Sequence, residues 1–313
     1  MPEKQKLIIL TRPTAAGKTA LSIRLAEKLG GEIISADSMQ VYRFMDIGSA
    51  KVTAQEMGGI RHHLVDVLDP REDFDVYTFQ TLAKEALCGI YGRGHLPIVV
   101  GGTGFYIQAL LYDIDFDKTQ EPEEGKKRRE LEALVKEKGS EAVYKRLLEL
   151  DAKSAEDIHP NNVKRLIRAV EYCETTGQKF SEHNALQRQK ESPYDFRYFV
   201  LTDERQVLYD RINRRVDQML AAGLVDEVKR LKEMGLTREY VSMQGLGYKE
   251  ILDYLDGTSD FEHAVYLIKR DTRHFAKRQL TWFRRERDVI WINKADFGRD
   301  EDAILRCMLD HIT

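Results

Sequence analysis

The chain of 313 residues is poor in cysteine and has no surplus of charge of either sign. Its three cysteines, Cys88, Cys173 and Cys307, are far apart, odd in number and outside any C-x-x-C pair. This pattern indicates neither a disulfide framework nor a zinc site. We therefore expect reduced thiols, as in cytoplasmic proteins.

Long hydrophobic runs are also missing. No apolar run approaches the ~18 residues that a membrane-spanning helix needs. Residues 1–6 lead directly into a short apolar strand, which is too short for the apolar core of a signal peptide. The sequence therefore predicts a soluble cytoplasmic protein with no membrane partner.

Net charge by itself gives no sign of a nucleic-acid partner. Lys and Arg total 49 against 52 Asp and Glu, so the formal charge is only -3 and local clusters must decide. The 8 histidines offer no convincing metal set, because neighbours such as His62 and His63 would point to opposite faces of a strand. With 42% hydrophobic and 32% charged residues, the composition is that of a folded globule, and the length suggests about two domains.

Short apolar runs alternate with helical patterns over the first part of the chain. The predicted strands are 7–10, 33–34, 64–68 and 97–100, and the predicted helices are 20–29 and 76–91. Such alternation predicts a parallel sheet covered by helices on both faces, with ligands at the carboxyl ends of its strands.

The pattern changes from about residue 116 to residue 190, where charged, helix-forming sequence contains no strand-like run. It includes a predicted helix over 161–176 that Gly177 stops. Strands at 198–201 and 289–292 follow, separated by long amphipathic helices. We predict an α/β fold, a P-loop NTPase-like parallel sheet flanked by helices with an inserted all-helical domain. The predicted domains are a discontinuous core of 1–115 and 191–313 and an insertion of 116–190.

A phosphate-binding loop is predicted between the first strand and the first helix. Residues 13–19 read P-T-A-A-G-K-T and supply most of the pattern G-x-x-x-x-G-K-[ST]. Backbone N–H groups of the loop and of the helix N-terminus would hold phosphate oxygens, Lys18 would neutralise them, and Thr19 would bind Mg²⁺. The loop residues proper are Thr14, Ala15, Ala16 and Gly17. Arg12 replaces the first glycine of the pattern, and the ligand could be a nucleotide or another diphosphate.

Two further polar turns follow predicted strands. Asp37 comes directly after the second strand, in I-I-S-A-D-S-M-Q-V-Y, and a glycine-rich turn with Thr103 comes after 97–100. Because the carboxyl ends of parallel strands meet at one edge of a sheet, we expect both turns beside the phosphate loop.

A basic, aromatic-rich segment lies near the end of the chain. Residues 269–287 carry eight Lys or Arg against two acids, a local excess of 8 - 2 = +6, interleaved with His274, Phe275, Trp282 and Phe283. Contacts with phosphates and stacking on bases use these residue types. A long surface helix that buries Phe275, Leu280 and Phe283 is the alternative, and one helix can do both.

Taken together, motifs spread in order from Thr11 to Arg284 resemble the bacterial tRNA dimethylallyltransferase (tRNA isopentenyltransferase) family. Besides the loop, they are 33–42, 45–51, 101–104 and 158–161. The resemblance implies transfer of a dimethylallyl group from dimethylallyl diphosphate to the N6 amine of the adenosine 3′ to the anticodon in tRNA. An adenylate isopentenyltransferase and a P-loop kinase of a small metabolite are the alternatives. A non-catalytic RNA-binding module would leave the loop and Asp37 unexplained.

The resemblance also implies roles for single residues. Asp37 would accept a hydrogen bond from the adenine amine and take its proton, although an indirect role at Mg²⁺ is a second interpretation. Thr103 would orient the amine or a phosphate oxygen. Arg215, one helical turn after Arg211, would stabilise the leaving diphosphate together with Lys18. Without the resemblance, arginine on an amphipathic helix is more often a solvated residue.

The implied partners are the tRNA anticodon stem-loop and dimethylallyl diphosphate, with Mg²⁺ as cofactor and a monomeric protein. Nothing resembles the C-terminal zinc finger of eukaryotic relatives. The residues implied in tRNA binding are Asp37, Ser38, Met39, Gln40, Thr103, Asn161, Asn162, Val163, Lys164, Arg165, Gln244, Gly247, Lys249, Lys277, Arg278 and Arg284. We expect the helical insertion and the basic segment to grip the anticodon stem-loop from two sides.

Overall fold

Six parallel strands form one sheet in this computed structural model, which describes residues 4–11, 13, 18–116 and 124–312. The order across the sheet is β3-β2-β4-β1-β5-β6. The strands are β1 (Gln5–Thr11), β2 (Gly31–Ala36), β3 (His62–His63), β4 (Leu96–Gly101), β5 (Tyr194–Thr202) and β6 (Val289–Asn293). All of them are parallel, so their carboxyl ends lie at the same edge.

The described chain divides into two compact units, Met1–Leu111 with Pro193–Thr313, and Tyr112–Ser192. The predicted boundaries were 115/116 and 190/191. Helices of the sheet-containing unit are α1 (Lys18–Leu29), α2 (Ala54–Met57), α3 (Val76–Gly92), α4 (Gly104–Leu111), α10 (Arg205–Ala221), α11 (Leu224–Glu233), α12 (Tyr248–Leu255), α13 (Phe261–Phe283) and α14 (Glu301–Asp310). Helices of the second unit are α5 (Glu124–Lys138), α6 (Ser140–Leu150), α7 (Ala152–Asp157), α8 (Val163–Thr176) and α9 (Phe180–Gln189).

The core of the first unit explains why the strands are continuous apolar runs. Successive side chains of a strand point to opposite faces, and both faces of this sheet are covered. One face packs against α1 and α14, through Leu21, Leu25, Ile304 and Met308. On α3, buried residues recur at helical spacing: Phe79, Ala83, Leu87 and Ile90. The predicted parallel sheet flanked by helices is confirmed.

The second unit has its own core, formed by its helices alone. α5, α6 and α8 contribute Leu131, Val143, Leu147, Leu166 and Val170, each almost fully buried. Asp151 precedes α7, and its buried carboxylate accepts hydrogen bonds from the backbone N–H and hydroxyl of both Ser154 and Ser181. These bonds tie the start of α7 to the start of α9.

One predicted strand is wrong. Residues 64–68 do not form a strand, and the strand at this sheet edge is instead β3, which pairs Ile33 with His62 and Ile34 with His63. Leu64 and Asp66 have φ of 61° and 57°, in the left-handed region that extended backbone excludes. Only a single bridge, Tyr42 to Leu68, continues the pairing. The apolar side chains of residues 64–68 therefore belong to an irregular loop.

No helix in the described part of the chain is both long and apolar enough to cross a bilayer.

Candidate active site

The carboxyl edge of the sheet brings two of the predicted turns together. Ala36, the last residue of β2, is in register with Gly101, the last residue of β4. Beyond this pair, the backbone N–H of Thr103 donates to the carbonyl oxygen of Ala36 at 3.2 Å. A Cβ on Gly101 would collide with that same carbonyl group, so glycine is required for the close approach. Asp37 and Thr103 are therefore neighbours across the strand ends.

Asp37 has one carboxylate oxygen engaged and one open. Its Oδ1 accepts hydrogen bonds from the backbone N–H groups of Met39 at 2.9 Å and Gln40 at 3.4 Å. Among the described residues, nothing donates a hydrogen bond to Oδ2. The backbone bonds fix the carboxylate in a local turn that Asp favours, because its side chain reaches the amide two residues on. The open oxygen can accept a hydrogen bond or a proton from a ligand.

Arg215 supplies positive charge near this carboxylate. It lies on α10, partly buried, and has no ion pair within 4 Å among the residues described. Burial lowers the pKa of Arg215, whereas the negative charge of Asp37 is the strongest influence that raises it. A guanidinium with no fixed partner is suited to receive an anionic ligand.

Arg211 has a different environment although it lies one helical turn away. Its Nη1 pairs with Oδ2 of Asp203 at 2.9 Å, and Arg299 contacts the same carboxylate at 3.1 Å. The Asp203 side chain is fully buried just after β5. Arg211 therefore anchors α10 to the sheet, which leaves Arg215 as the available cation of the two.

The predicted phosphate loop lies between β1 and α1, as its mechanism requires. Arg12 and the loop residues Thr14, Ala15, Ala16 and Gly17 lie outside the described residues. Lys18 and Thr19 are the first two residues of α1. β1 pairs with β4, and Thr11 is in register with Gly101, so β1 ends at the edge where the turns of Asp37 and Thr103 meet. Within the described ranges, no group of three or more His, Cys, Asp or Glu side chains could hold a metal ion.

Helix α13 packs against the turn that carries Thr103 and forms a hydrogen bond with it. The Nε2 of Gln279 donates to the carbonyl oxygen of Gly102 at 2.9 Å, and Gln279 is buried. The ring of Trp282 lies against Gly104, where a Cβ would collide with it, and meets the ring of Phe105 edge-on at a centroid distance of 6.0 Å. The basic segment is thus attached directly to the candidate site.

Cations of the basic segment fall into two groups. Towards the start of the segment, Lys269 pairs with Asp217, Arg270 pairs with Asp271, and Arg273 donates to Asn213. Near the end of α13, exposed cations have no ion pair in the described chain: they are Lys277, Arg278, Arg284 and Arg285. The positive charge that is available to a partner therefore lies at the end of α13, the helix that contacts the Thr103 turn.

A groove of about 390 Å³ lies along this part of α13, lined by His274, Lys277, Arg278, Thr281, Trp282 and Arg285. The apolar side chains of this segment, in contrast to the cations near its end, are buried or partly buried. Phe283 is fully buried, and Leu280 packs partly buried against a small cluster around Ile212. The two interpretations of the segment, a surface helix and an RNA-binding face, are compatible with one helix.

The segment around Gln244 lies against the Asp37 turn. Gly245 packs so closely on the side chain of Met39 that a Cβ would come within 2.5 Å of it. Gly247, with φ of +94°, is the N-cap of α12, and its N–H donates to Glu250. Lys249 is no free cation, since its Nζ lies 3.5 Å from a carboxylate oxygen of Glu250.

In the helical unit, the predicted residues surround the start of α8. Asn162 occupies the N-cap position but its side chain makes no capping hydrogen bond. The side chains of Asn161, Asn162, Lys164 and Arg165 are exposed, and that of Val163 is partly buried. Two other cations of this unit, Lys127 and Arg146, both pair with Glu174. Neither Lys164 nor Arg165 has such a partner among the described residues.

Sequence reasoning missed one acid that shapes the site. Glu227, on α11, is buried and accepts hydrogen bonds from three backbone N–H groups in the loop after Asp37. A signal was present: Leu224, Val228 and Leu231 define the buried face of α11, and Glu227 falls on that face. An acid in an apolar stripe needs a partner, and the sequence does not say which.

Comparison with known proteins shows the family of the chain. The family model described as IPP transferase matches residues 40–286, and one described as isopentenyl transferase matches residues 5–69. A protein of Lachnoclostridium phytofermentans named tRNA dimethylallyltransferase is 58% identical over 300 residues, which is 96% of this chain and 95% of that protein.

Solved structures extend the match over the whole chain. The full-length tRNA isopentenylpyrophosphate transferase of Bacillus halodurans has 46% identity and a TM-score of 0.73, covering 98% of this chain and 96% of that one. A eukaryotic dimethylallyltransferase acting on tRNA has 31% identity and a TM-score of 0.81, covering 94% of this chain and 75% of that one. The resemblance found in the motifs is confirmed, and the chain belongs to the IPP transferase family.

Proposed function

We propose that this protein transfers a dimethylallyl group from dimethylallyl diphosphate to the N6 amine of the adenosine 3′ to the anticodon in tRNA. The observation that carries the proposal is the open Oδ2 of Asp37, next to Thr103 and within electrostatic range of Arg215. A proton acceptor and an unpaired cation are what an amine attack with loss of an anion requires.

The proposed reaction forms one bond and breaks one. The lone pair of the adenine N6 attacks the allylic carbon of dimethylallyl diphosphate, and the carbon–oxygen bond breaks with its electron pair leaving on diphosphate. Asp37 accepts the proton that N6 loses. Thr103, fixed by its N–H bond to Ala36, orients the amine or a phosphate oxygen.

Charge stabilisation falls to the cations around the departing diphosphate. Arg215 is partly buried, and fixed charge in a site with little water acts more strongly than in bulk solvent. We assign Lys18 and the N–H groups of Thr14 to Gly17 to the diphosphate by their place between β1 and α1. Thr19 would hold Mg²⁺, which keeps several water ligands and needs few protein oxygens, so a single hydroxyl beside the diphosphate oxygens suits it. When bound, Mg²⁺ would neutralise diphosphate charge.

The acceptor would be bound by its anticodon stem-loop. The exposed cations at the end of α13 support this, as do the exposed Lys164 and Arg165 of the helical unit, none of which has an ion pair among the described residues. Asp37, Ser38, Met39 and Gln40 would contact the target base, which must first leave its stack at a cost of a few kcal/mol. Gln244, Gly247 and Lys249, in the segment whose Gly245 packs on Met39, would also bind the tRNA. We further propose a cytoplasmic, monomeric enzyme.

One assay tests the proposal and its main alternative together. Purified protein is incubated with Mg²⁺, a hairpin RNA of the anticodon arm and either dimethylallyl diphosphate or ATP. We expect prenylated RNA from dimethylallyl diphosphate without consumption of ATP. AMP in place of the hairpin tests the adenylate isopentenyltransferase alternative. Consumption of ATP with no prenyl transfer to the hairpin would refute the proposal.

A further inference from the structure

Glu227 makes an unusual set of hydrogen bonds with a remote loop. Its carboxylate, 2% exposed, accepts from three consecutive backbone N–H groups: Asp46 at 2.9 Å, Ile47 at 2.8 Å and Gly48 at 3.0 Å. A buried carboxylate needs several donors to offset its loss of hydration, and this turn supplies them.

Tyr248 completes the arrangement. Its hydroxyl donates to Glu227 at 2.8 Å and accepts from the N–H of Ser49 at 3.1 Å. The ring packs on Gly48, where a Cβ would come within 2.5 Å of it. Burial raises the pKa of Tyr248 well above its ordinary value, and so does the nearby Glu227. The phenol therefore stays protonated and continues to donate.

The anchored turn is connected to Asp37. The Nε2 of Gln40 donates to the carbonyl oxygen of Ala50 at 3.1 Å, and the N–H of Gln40 donates to Oδ1 of Asp37. On the other side, Lys51 is buried and contacts the carboxylates of Asp46 and Asp66 at 2.6 Å and 2.5 Å. The turn is thus linked through Gln40 to the Asp37 carboxylate.

Glu227 also belongs to the element that follows Arg215. α11 begins at Leu224, directly after α10 ends at Ala221, and Gly223 between them has φ of 99°. Helix α10 carries Arg215 and is anchored one turn earlier by the pair of Arg211 with Asp203. The Glu227 carboxylate therefore connects α11, and with it the preceding helix α10 that carries Arg215, to the loop that follows Asp37.

We propose that Glu227 is a positioning residue for prenyl transfer, which sets the Asp37 carboxylate relative to Arg215 through the turn of residues 46–48. This inference rests on the proposed function. A carboxylate suits the role because it only accepts hydrogen bonds, whereas the amide of glutamine would turn an N–H₂ group towards backbone N–H donors. Misplacement of reacting groups by about 1 Å costs ~10²-fold in rate.

The test compares Glu227→Gln with Glu32→Gln. Glu32 is a matched control, because it is a buried acid with several partners that lies at the other end of β2 from Asp37. We expect Glu227→Gln to reduce the single-turnover transfer rate at saturating substrates by ~10- to 100-fold. Donor and hairpin dissociation constants should change less than ~3-fold. Glu32→Gln should lower the melting temperature while the rate stays within ~2-fold of wild type. A Glu227→Gln rate near wild type, or an equal loss in both variants, would overturn the inference.

Two further measurements cover the remaining outcomes. If Glu227→Gln does not fold, Tyr248→Phe takes its place and should reduce the rate ~3- to 10-fold with unchanged affinities; no reduction counts against the inference. Hydrogen exchange needs no activity: the amides of residues 46–48 should exchange at least ~10-fold faster in Glu227→Gln, with the amides of β4 unaffected. Unchanged amide exchange at residues 46–48 would reject the inference whether or not the wild type is active. An inactive wild type would by itself refute the proposed function.

Discussion

Asp37 and Arg215 act on each other electrostatically although neither forms an ion pair in the described chain. Burial lowers the pKa of Arg215, and the Asp37 carboxylate is the strongest influence that raises it. Asp37 directly follows β2 and Arg215 lies on α10, two elements far apart in sequence. A carboxylate that stays open while a cation is near it can accept a proton from a ligand that lies between them.

Asp37→Asn should separate proton acceptance from positioning. The variant keeps the size of the side chain and an oxygen for the N–H of Met39, but it loses negative charge and basicity. We expect the single-turnover rate to fall by ~10²-fold or more with RNA affinity little changed. If Asp37 acts instead through Mg²⁺, donor binding will weaken and high Mg²⁺ will rescue the rate. A near-wild-type rate at all Mg²⁺ concentrations contradicts the assignment.

Arg215→Ala should impair use of the donor. Removing this cation takes away one of the charge partners of the departing diphosphate, so we expect a loss of ~10²-fold in the transfer rate. Arg214→Ala on the same helix is the control, because Arg214 is exposed, and it should stay within ~2-fold of wild type. Single-turnover rates with equal RNA saturation provide the comparison. Equal effects of the two changes would speak against a specific role of Arg215.

Lys18→Ala and Thr19→Ala should weaken donor binding and leave RNA binding largely intact, because their proposed partners are phosphate and Mg²⁺. Isothermal titration with dimethylallyl diphosphate, and with the hairpin separately, measures both. Removal of Mg²⁺ with EDTA should abolish transfer by the wild type, and added Mg²⁺ should restore it. Loss of both affinities to the same extent would indicate misfolding or a wrong site.

Neutralising Lys277, Arg278 and Arg284 should weaken RNA binding and reduce its salt dependence. Each phosphate contact that is lost lowers the slope of log affinity against log salt by about 1. Lys28→Gln is the control, since Lys28 is an exposed cation at the end of α1. Hairpin affinity measured at several salt concentrations gives the slopes. Three unchanged slopes would remove the end of α13 from the RNA surface.

Glu32→Gln should reveal a pH-dependent contribution to stability. A hydrogen bond from Arg93, reinforced by His63 and His95 and opposed by burial, lowers the pKa of Glu32 from 4.5 to about 2. A lowered carboxyl pKa stabilises the fold fully above pH 4.5, and the contribution is lost as pH falls from 4.5 towards 2. At pH 7 the variant should melt ~5 °C lower than wild type.

The difference in unfolding free energy between the wild type and Glu32→Gln should become smaller below pH 4.5. Denaturant titrations at pH 7, 5, 4 and 3.5 measure it. A difference that is constant over this series would show that Glu32 does not have a lowered pKa in the folded protein.

Several features were predictable because they are local. Apolar runs of strand length and the 3.6-residue spacing of α1 and α3 specified the alternating elements, and a parallel sheet followed from that order. The convergence of Asp37 and Thr103 was predictable as well, since parallel strands end at a common edge. β3 was not, because an apolar run such as 64–68 does not reveal that Leu64 and Asp66 adopt positive φ.

The sequence by itself determined the residue types of the site: an acid after β2, a glycine-rich turn after β4 and a basic segment near the end of the chain. Only the tertiary structure decided which of these groups are available. It neutralises Arg211 with Asp203, leaves Arg215 unpaired among the described residues, and joins Glu227 to Asp46, which is 181 residues away. Local patterns report which face of a helix is buried. Pairing between distant side chains depends on how helices pack on the sheet, and this packing has no local signal in the sequence.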